Sequence, residues 1–95
     1  MTRTEFDASL NDTAPPAHFP PYLTALWWMK QDDWTRAHDF IDREPGANEA
    51  RVHAYLHRVE GDEWNANYWY RRAGVANPGG DHAAELEHLL AKYLD

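Results

Sequence analysis

The sequence predicts an all-α fold, and three observations support this prediction. Apolar residues recur at three- and four-residue spacing in several segments after residue 20, which is typical of helices that bury one face. Asp or Asn precedes most of these segments, where short polar side chains cap helix N-termini. Glycine or proline follows them, as is usual where helices end. No segment shows the alternating pattern of a half-buried strand.

The first 17 residues are predicted to form a flexible N-terminal arm. They are mostly polar, two consecutive prolines interrupt them, and the hydrophobic side chains Phe6 and Leu10 follow no sustained period. They also lack the continuous apolar segment of a secretory signal peptide. The remaining residues, 18–95, are predicted to form a single helical domain.

Five helices are predicted in this domain. Pro21 suits the first turn of the first helix, because its missing N–H leaves no intrahelical bond unmade. Glu44-Pro45-Gly46 ends the second helix, Gly61 ends the third, and residues 77–80 end the fourth. Asp81 caps the last helix, which has a stripe of leucines on one face. The predicted bounds are about 21–30, 33–43, 48–60, 62–76 and 81–94.

Length and composition restrict the possible functions. At 95 residues and 11.1 kDa, the chain is long enough for one compact core. It contains no cysteine, which excludes disulfides, thiolate metal ligands and cysteine nucleophiles. The formal net charge of −7 argues against partners such as nucleic acids or anionic membranes. No apolar run approaches the ~20 residues of a membrane helix, so we expect a soluble, cytoplasmic protein.

Two parts of the sequence match each other at an offset of 29 residues. Asp32-Asp33-x-x-x-Ala37 aligns with Gly61-Asp62-x-x-x-Ala66, and Ala25 aligns with Ala54. Small residues at such positions allow two helices of a hairpin to approach closely. The repeat therefore predicts two helical hairpins, formed by the first four helices of the domain.

The second of these units resembles a tetratricopeptide repeat. The resemblance rests on Gly61-Asp62, Ala66, Ala73 and Pro78, whereas in the first unit Asp32 replaces the usual glycine. It implies helical hairpins that stack on one another. The string HAYLHRVEGDEWNANYWYRRA at residues 53–73 is also similar to a family of small, uncharacterised microbial proteins, and that resemblance implies no activity.

In tetratricopeptide domains the first helix of each hairpin lines a concave groove. By position, the resemblance places in this groove Tyr22, Leu26, Met29, Lys30, Asn48, Arg51, Tyr55 and Arg58. Lys30, Arg51 and Arg58 would make the groove basic, which suits a carboxylate-bearing peptide or a small acid. Helical periodicity instead directs Tyr55 towards the core, and both placements stay open at this point.

Three of the six histidines are distinguished by their spacing. His53 and His57 are four residues apart on the third predicted helix, and Glu60 extends the same stripe. His38 has a similar position, at the border of the core, on the second helix. Two imidazoles and a carboxylate form part of the ligand shell of a divalent metal. Such histidines also act structurally, by hydrogen bonding to a neighbouring helix, and both alternatives stay open.

The fourth predicted helix is apolar on two faces. One face, with Ala66 and Tyr70, is expected to pack against the core, whereas Trp64, Tyr68 and Arg71 share the opposite face. Trp, Tyr and Arg are the residue types that dominate binding hot spots. The second face is therefore either a partner surface or a surface that the last helix or the arm covers.

The sequence thus supports two hypotheses about function. The first is a small interaction module that binds a protein or peptide, or forms a homodimer, through Trp28, Trp64, Tyr68, Arg71, Arg51 and Arg58. The second is a metal- or small-ligand-binding protein, enzymes included, that uses His38, His53, His57 and Glu60. No catalytic set is identified, since serine triads, glycine-rich phosphate loops and the His-Glu-x-x-His motif are all missing. We therefore expect a binding protein with no cofactor other than a divalent metal.

Overall fold

The computed structural model describes residues 1–95 and confirms the all-α prediction. The chain folds into six helices and contains no strand. The helices are α1 (Arg3–Ser9), α2 (Pro21–Lys30), α3 (Trp34–Ile41), α4 (Ala47–Glu60), α5 (Glu63–Ala73) and α6 (His82–Tyr93). Helix α2 packs mainly on α3, and α4 packs mainly on α5. Helices α3 and α6 also contact α4, which lies at the centre of the fold. No helix combines the length and the apolar character needed to cross a membrane.

Short polar turns define the two helix pairs. The Asp33 side chain accepts a hydrogen bond from the Arg36 backbone N–H at the start of α3, and Asp62 does the same for Asn65 at the start of α5. Gly61 ends α4 in the left-handed conformation at φ 89°. These features agree with the repeat seen in the sequence, whereas tetratricopeptide-like stacking of the two pairs stays a prediction.

Helix α5 ends earlier than predicted, at Ala73 rather than near residue 76. Gly74 adopts the left-handed conformation at φ 77° and donates its N–H to the Arg71 carbonyl. A C-terminal glycine cap therefore ends the helix before the break predicted at residues 77–80.

Part of the predicted flexible arm, residues 3–9 of the predicted 1–17, is instead a helix packed on the domain. Phe6 of α1 is fully buried and stacks on Phe19 with ring centroids 6.1 Å apart. Arg3 donates to Glu87 of α6 at 2.6 Å, and the Trp27 indole N–H donates to Ser9 Oγ at 3.0 Å. Because this short helix buries one large side chain rather than a periodic stripe, the apolar spacing of the sequence did not reveal it.

The core lies between α2, α3, α4 and α6. Its largest fully buried side chains include Trp27, Ile41, Leu56 and Leu89, one from each of these helices. A second, smaller cluster joins Ala54, Ala66 and Tyr70 between α4 and α5. Ala54 and Ala66 are fully buried, in keeping with the close helix approach that the repeat predicts.

Helix α6 lies over the part of α4 that was predicted to line a basic groove. Arg51 Nη1 and Arg58 Nη1 each donate to the Glu85 carboxylate of α6 at 2.5 Å, and the Tyr70 hydroxyl donates to it as well. All four side chains are buried. Tyr55 is buried too, as helical periodicity indicated. The prediction of an open basic groove is therefore wrong, because its central residues lie in the interior.

Candidate functional site

Three histidines converge between α3 and α4. His53 and His57 lie one turn apart on α4, and His38 approaches them from α3. The Nε2 atoms of His38 and His53 are 3.1 Å apart. One ring nitrogen from each of the three residues lies within 4.8 Å of the others. The packing of α3 on α4 thus brings together residues that are 15 and 19 positions apart in the sequence.

Glu60 fixes the orientation of the His57 ring. Its Oε1 lies 2.5 Å from His57 Nδ1, so the carboxylate holds a proton on that nitrogen. The opposite nitrogen, Nε2, then has a free lone pair. A carboxylate that accepts from the outer nitrogen of a histidine is the usual support for a metal-binding imidazole.

Aromatic side chains form the walls of the cluster. The Trp69 ring stacks on His53 with centroids 4.0 Å apart, and the Trp34 ring stacks on His38 at 4.8 Å. Trp34 is anchored because its indole N–H donates to the Leu56 carbonyl at 2.7 Å. These contacts limit the rotamers of the imidazoles and reduce the reorganisation that binding an ion would require.

Burial keeps the central histidine neutral. His53 is 2% exposed, and burial, followed by repulsion from the protonated form of His57 and then from that of His38, lowers its pKa to about 4. A neutral imidazole with a free lone pair is the form that binds metal ions. Near neutral pH, His53 is therefore already neutral, and the proton that His38 Nε2 and His53 Nε2 share has only to move to an outer ring nitrogen before both atoms can bind a metal.

The separation of the ring nitrogens suits a tetrahedral ion. Two ligands at the usual Zn–N distance of 2.0–2.1 Å are about 3.3 Å apart in tetrahedral geometry. The 3.1 Å between His38 Nε2 and His53 Nε2 is close to this value. Since all three nitrogens lie within 4.8 Å of one another, side-chain adjustments of up to about 1.5 Å bring the third ligand to this separation.

The four residues of the predicted metal site therefore occupy one place in the structure. His38, His53 and His57 face one another, and Glu60 holds His57 from the opposite side. Spacing along the sequence placed three of them on one stripe of α4, whereas the position of His38 depends on how α3 packs.

The predicted partner-binding residues are divided by the structure. Trp64 is 74% exposed, and Tyr68 and Arg71 are also on the surface. Trp28 is buried in the core, and Arg51 and Arg58 are buried against Glu85, so these three are corrected from surface to interior positions. Trp28 belongs to the main core cluster, and the Arg36 guanidinium of α3 lies over its ring at 4.7 Å.

Sequence analysis missed two contributors to the candidate site. The residue pattern assigned neither Trp34 nor Trp69 to this site, yet their rings stack directly on the histidines. For Trp34 the sequence contained a signal, because this residue comes four positions before His38 and so lies on the same helix face. Trp69 comes from α5, and its stacking on His53 follows only from packing.

No protein-family model matches the chain, and no curated protein or solved structure matches it either.

Proposed function

We propose that the protein binds a divalent transition-metal ion through His38, His53 and His57. One observation supports this proposal most directly: ring nitrogens from two helices come together within 4.8 Å, and a carboxylate orients one of the rings. A purely structural histidine needs only one partner on the neighbouring helix. Here three rings face one another, and His38 and His53 are each other's hydrogen-bond partner.

The donor set favours zinc and similar ions. Imidazole nitrogen suits Zn, Cu, Fe and Ni, whereas Mg and Ca prefer oxygen ligands. Three histidines leave a fourth coordination position for water or another small ligand. The ion would join α3 to α4 and so would also stabilise the contact between the two helix pairs.

Calorimetric titration of the metal-stripped protein with Zn²⁺ tests the proposal. We expect one ion per chain for the wild type and loss of this binding in His53→Gln and in His57→Gln. Glu60→Gln should weaken binding about 10- to 100-fold, because the carboxylate supports a ligand without being one. His82→Gln is the matched control, since His82 is exposed on α6 and outside the cluster.

Two outcomes would contradict the proposal. One is wild-type affinity in His53→Gln, which would place the ion elsewhere on the protein. The other is reduced thermal stability of the histidine variants with no zinc binding by the wild type, which would assign the cluster a structural role.

The exposed aromatic residues of α5 favour a second function, as an interaction surface. The Trp64 and Tyr68 rings are nearly parallel with centroids 6.4 Å apart, and the Arg72 guanidinium lies 5.9 Å from the Tyr68 ring. We propose that this surface binds a protein or peptide, with a second copy of the chain as the first partner to test. The observation that supports it is the exposed pair of Trp64, which is 74% exposed, and Tyr68, because two adjacent aromatic rings form an apolar patch of the residue types found in binding hot spots.

Sedimentation velocity over a range of concentrations distinguishes self-association from a monomer. We expect the wild type to associate and Trp64→Ala to remain monomeric. Phe40→Ala is the matched control, because Phe40 is also a large exposed hydrophobic residue but lies on α3. An 11.1 kDa monomer at every concentration would refute self-association.

A further inference from the structure

We propose that a cavity beside the buried ion-pair network binds a small oxyanion, a carboxylate or a phosphate. The cavity has a volume of about 250 Å³ and lies between α4, the loop before α6 and the first turns of α6. It is separate from the histidine cluster, with which it shares no residue. Its lining consists of Arg51, Pro78, Gly79, Gly80, Asp81, Ala84, Glu85 and His88.

Arg51 provides the donors. Its side chain is buried, and only Nη1 donates to a protein acceptor, which is Glu85 Oε2. The remaining donors on Nε and Nη2 therefore have no protein partner. Only Trp28 Nε1 and the Tyr93 hydroxyl are both sealed from solvent and unpaired, so the free nitrogens of Arg51 remain accessible. Two adjacent N–H donors on a guanidinium fit the two oxygens of a carboxylate or phosphate.

The network around Arg51 has an excess of positive charge. Two guanidinium groups, from Arg51 and Arg58, share the single carboxylate of Glu85. Both oxygens of that carboxylate are used, since Oε1 accepts from Arg58 and Oε2 accepts from Arg51 and Tyr70. A buried charge that lacks a counter-ion is costly, so an anion at the free side of Arg51 would be favourable.

The other acidic residue of the cavity wall does not supply this counter-ion. Asp81 is exposed, and its Oδ1 accepts the Ala83 backbone N–H at 3.0 Å as the cap of α6. Solvent screens an exposed carboxylate much more than it screens the buried guanidinium groups. The wall is also held in place, because Arg58 Nη2 donates to the Gly80 carbonyl at 2.5 Å. The cavity is thus formed before the ligand binds.

Ala84 allows a test that leaves the network intact. This residue is exposed on α6 and lines the cavity, so Ala84→Leu should narrow the cavity without removing a core contact or a charge. Ala83→Leu is the matched control, because Ala83 is exposed on the same helical turn and does not line the cavity. Leucine and alanine both favour helices, so neither variant should change the fold.

The experiment is an amide NMR titration of the full chain with sodium acetate and, separately, with inorganic phosphate. Chelator is present, and sodium chloride keeps the ionic strength constant. We expect saturable shifts at Gly79, Gly80 and Ala84 with at least one of the two anions, and the anion that saturates identifies the preferred oxyanion. Ala84→Leu should raise the dissociation constant by about tenfold or more, and Ala83→Leu should leave it unchanged.

Two results would overturn the proposal. The first is a titration in which neither anion gives saturable shifts at the cavity residues. The second is an equal dissociation constant in Ala84→Leu, Ala83→Leu and the wild type, which would show that the anions bind outside the cavity.

Discussion

Replacement of the buried carboxylate by its amide, Glu85→Gln, should destabilise the protein severely. The carboxylate accepts from Arg51, Arg58 and Tyr70, each at 2.5 Å, and is buried on α6. The amide offers one oxygen instead of two and directs an N–H₂ group at donors. Two buried guanidinium groups would then have no counter-charge, a defect that typically costs about 3–5 kcal/mol.

This loss is a large part of the total stability. A chain of 95 residues is expected to unfold with a free energy of roughly 5–14 kcal/mol. At about 4–8 °C per kcal/mol, the melting temperature should fall by roughly 12–40 °C. Circular dichroism at 222 nm during a thermal scan measures this shift directly.

Glu87→Gln is the matched control. Glu87 lies two residues further along α6, its side chain is 53% exposed, and it pairs with Arg3 at 2.6 Å. An exposed pair contributes only about 0–1 kcal/mol, so this variant should melt within a few degrees of the wild type. Equal melting temperatures for Glu85→Gln and Glu87→Gln would show that the hydrogen bonds from Arg51, Arg58 and Tyr70 to Glu85 do not stabilise the packing of α6 on α4 and α5.

Three further predictions follow from packing and burial. Phe6→Ala should cost about 3–5 kcal/mol and expose α1 to limited proteolysis, whereas wild-type cleavage within residues 3–9 would show that α1 does not pack. Ala66→Leu should overpack the contact between α5 and α4 and lower the free energy of unfolding by about 1–3 kcal/mol. An unchanged urea midpoint would refute the close approach of these two helices. The pKa of His53 is lowered to about 4, so between about pH 6.5 and 4 the unfolded chain binds a proton that the folded protein does not. The free energy of unfolding is therefore highest above about pH 6.5 and decreases as the pH falls towards 4. The metal-free wild type should therefore lose up to about 3 kcal/mol of its free energy of unfolding over that interval, measured by urea unfolding. His53→Gln lacks the imidazole, so its free energy of unfolding should change correspondingly less with pH.

Local signals in the sequence predict much of the helical framework. Asp33, Asp62 and Asp81 each accept a hydrogen bond from a backbone N–H at the start of a helix, as their positions indicated. Gly61 forms the left-handed cap expected of it. Such features depend on chemistry within four or five residues, so a single sequence is enough to identify them.

The first helix shows the limit of periodicity as a signal. Phe6 is fully buried, but α1 is too short to display a stripe. The sequence did contain a local signal, because Thr2 and Glu5 form a reciprocal capping box at its start. The contacts with α2 and α6 that hold the helix come from tertiary packing, and no local pattern predicts them.

The positions of charged residues were the least predictable. Arg51 and Arg58 look like exposed cations in the sequence, and they are buried only because Glu85 of α6 neutralises them from 34 and 27 residues away. His38 illustrates the same dependence, since its spacing gives its helix face but not the distance to His53. Long-range pairing is decided by how whole helices pack, which explains why the residues of the histidine cluster could be named in advance but their convergence could not.

X-ray absorption at the zinc K-edge of the zinc-loaded protein tests the central claim, a metal site made of three histidines, most directly. The account predicts about three imidazole nitrogens at 2.0–2.1 Å, with the multiple-scattering pattern of histidine rings, and a reduced imidazole count in His53→Gln. A first shell composed mainly of oxygen, or an identical spectrum for the wild type and His53→Gln, would contradict it.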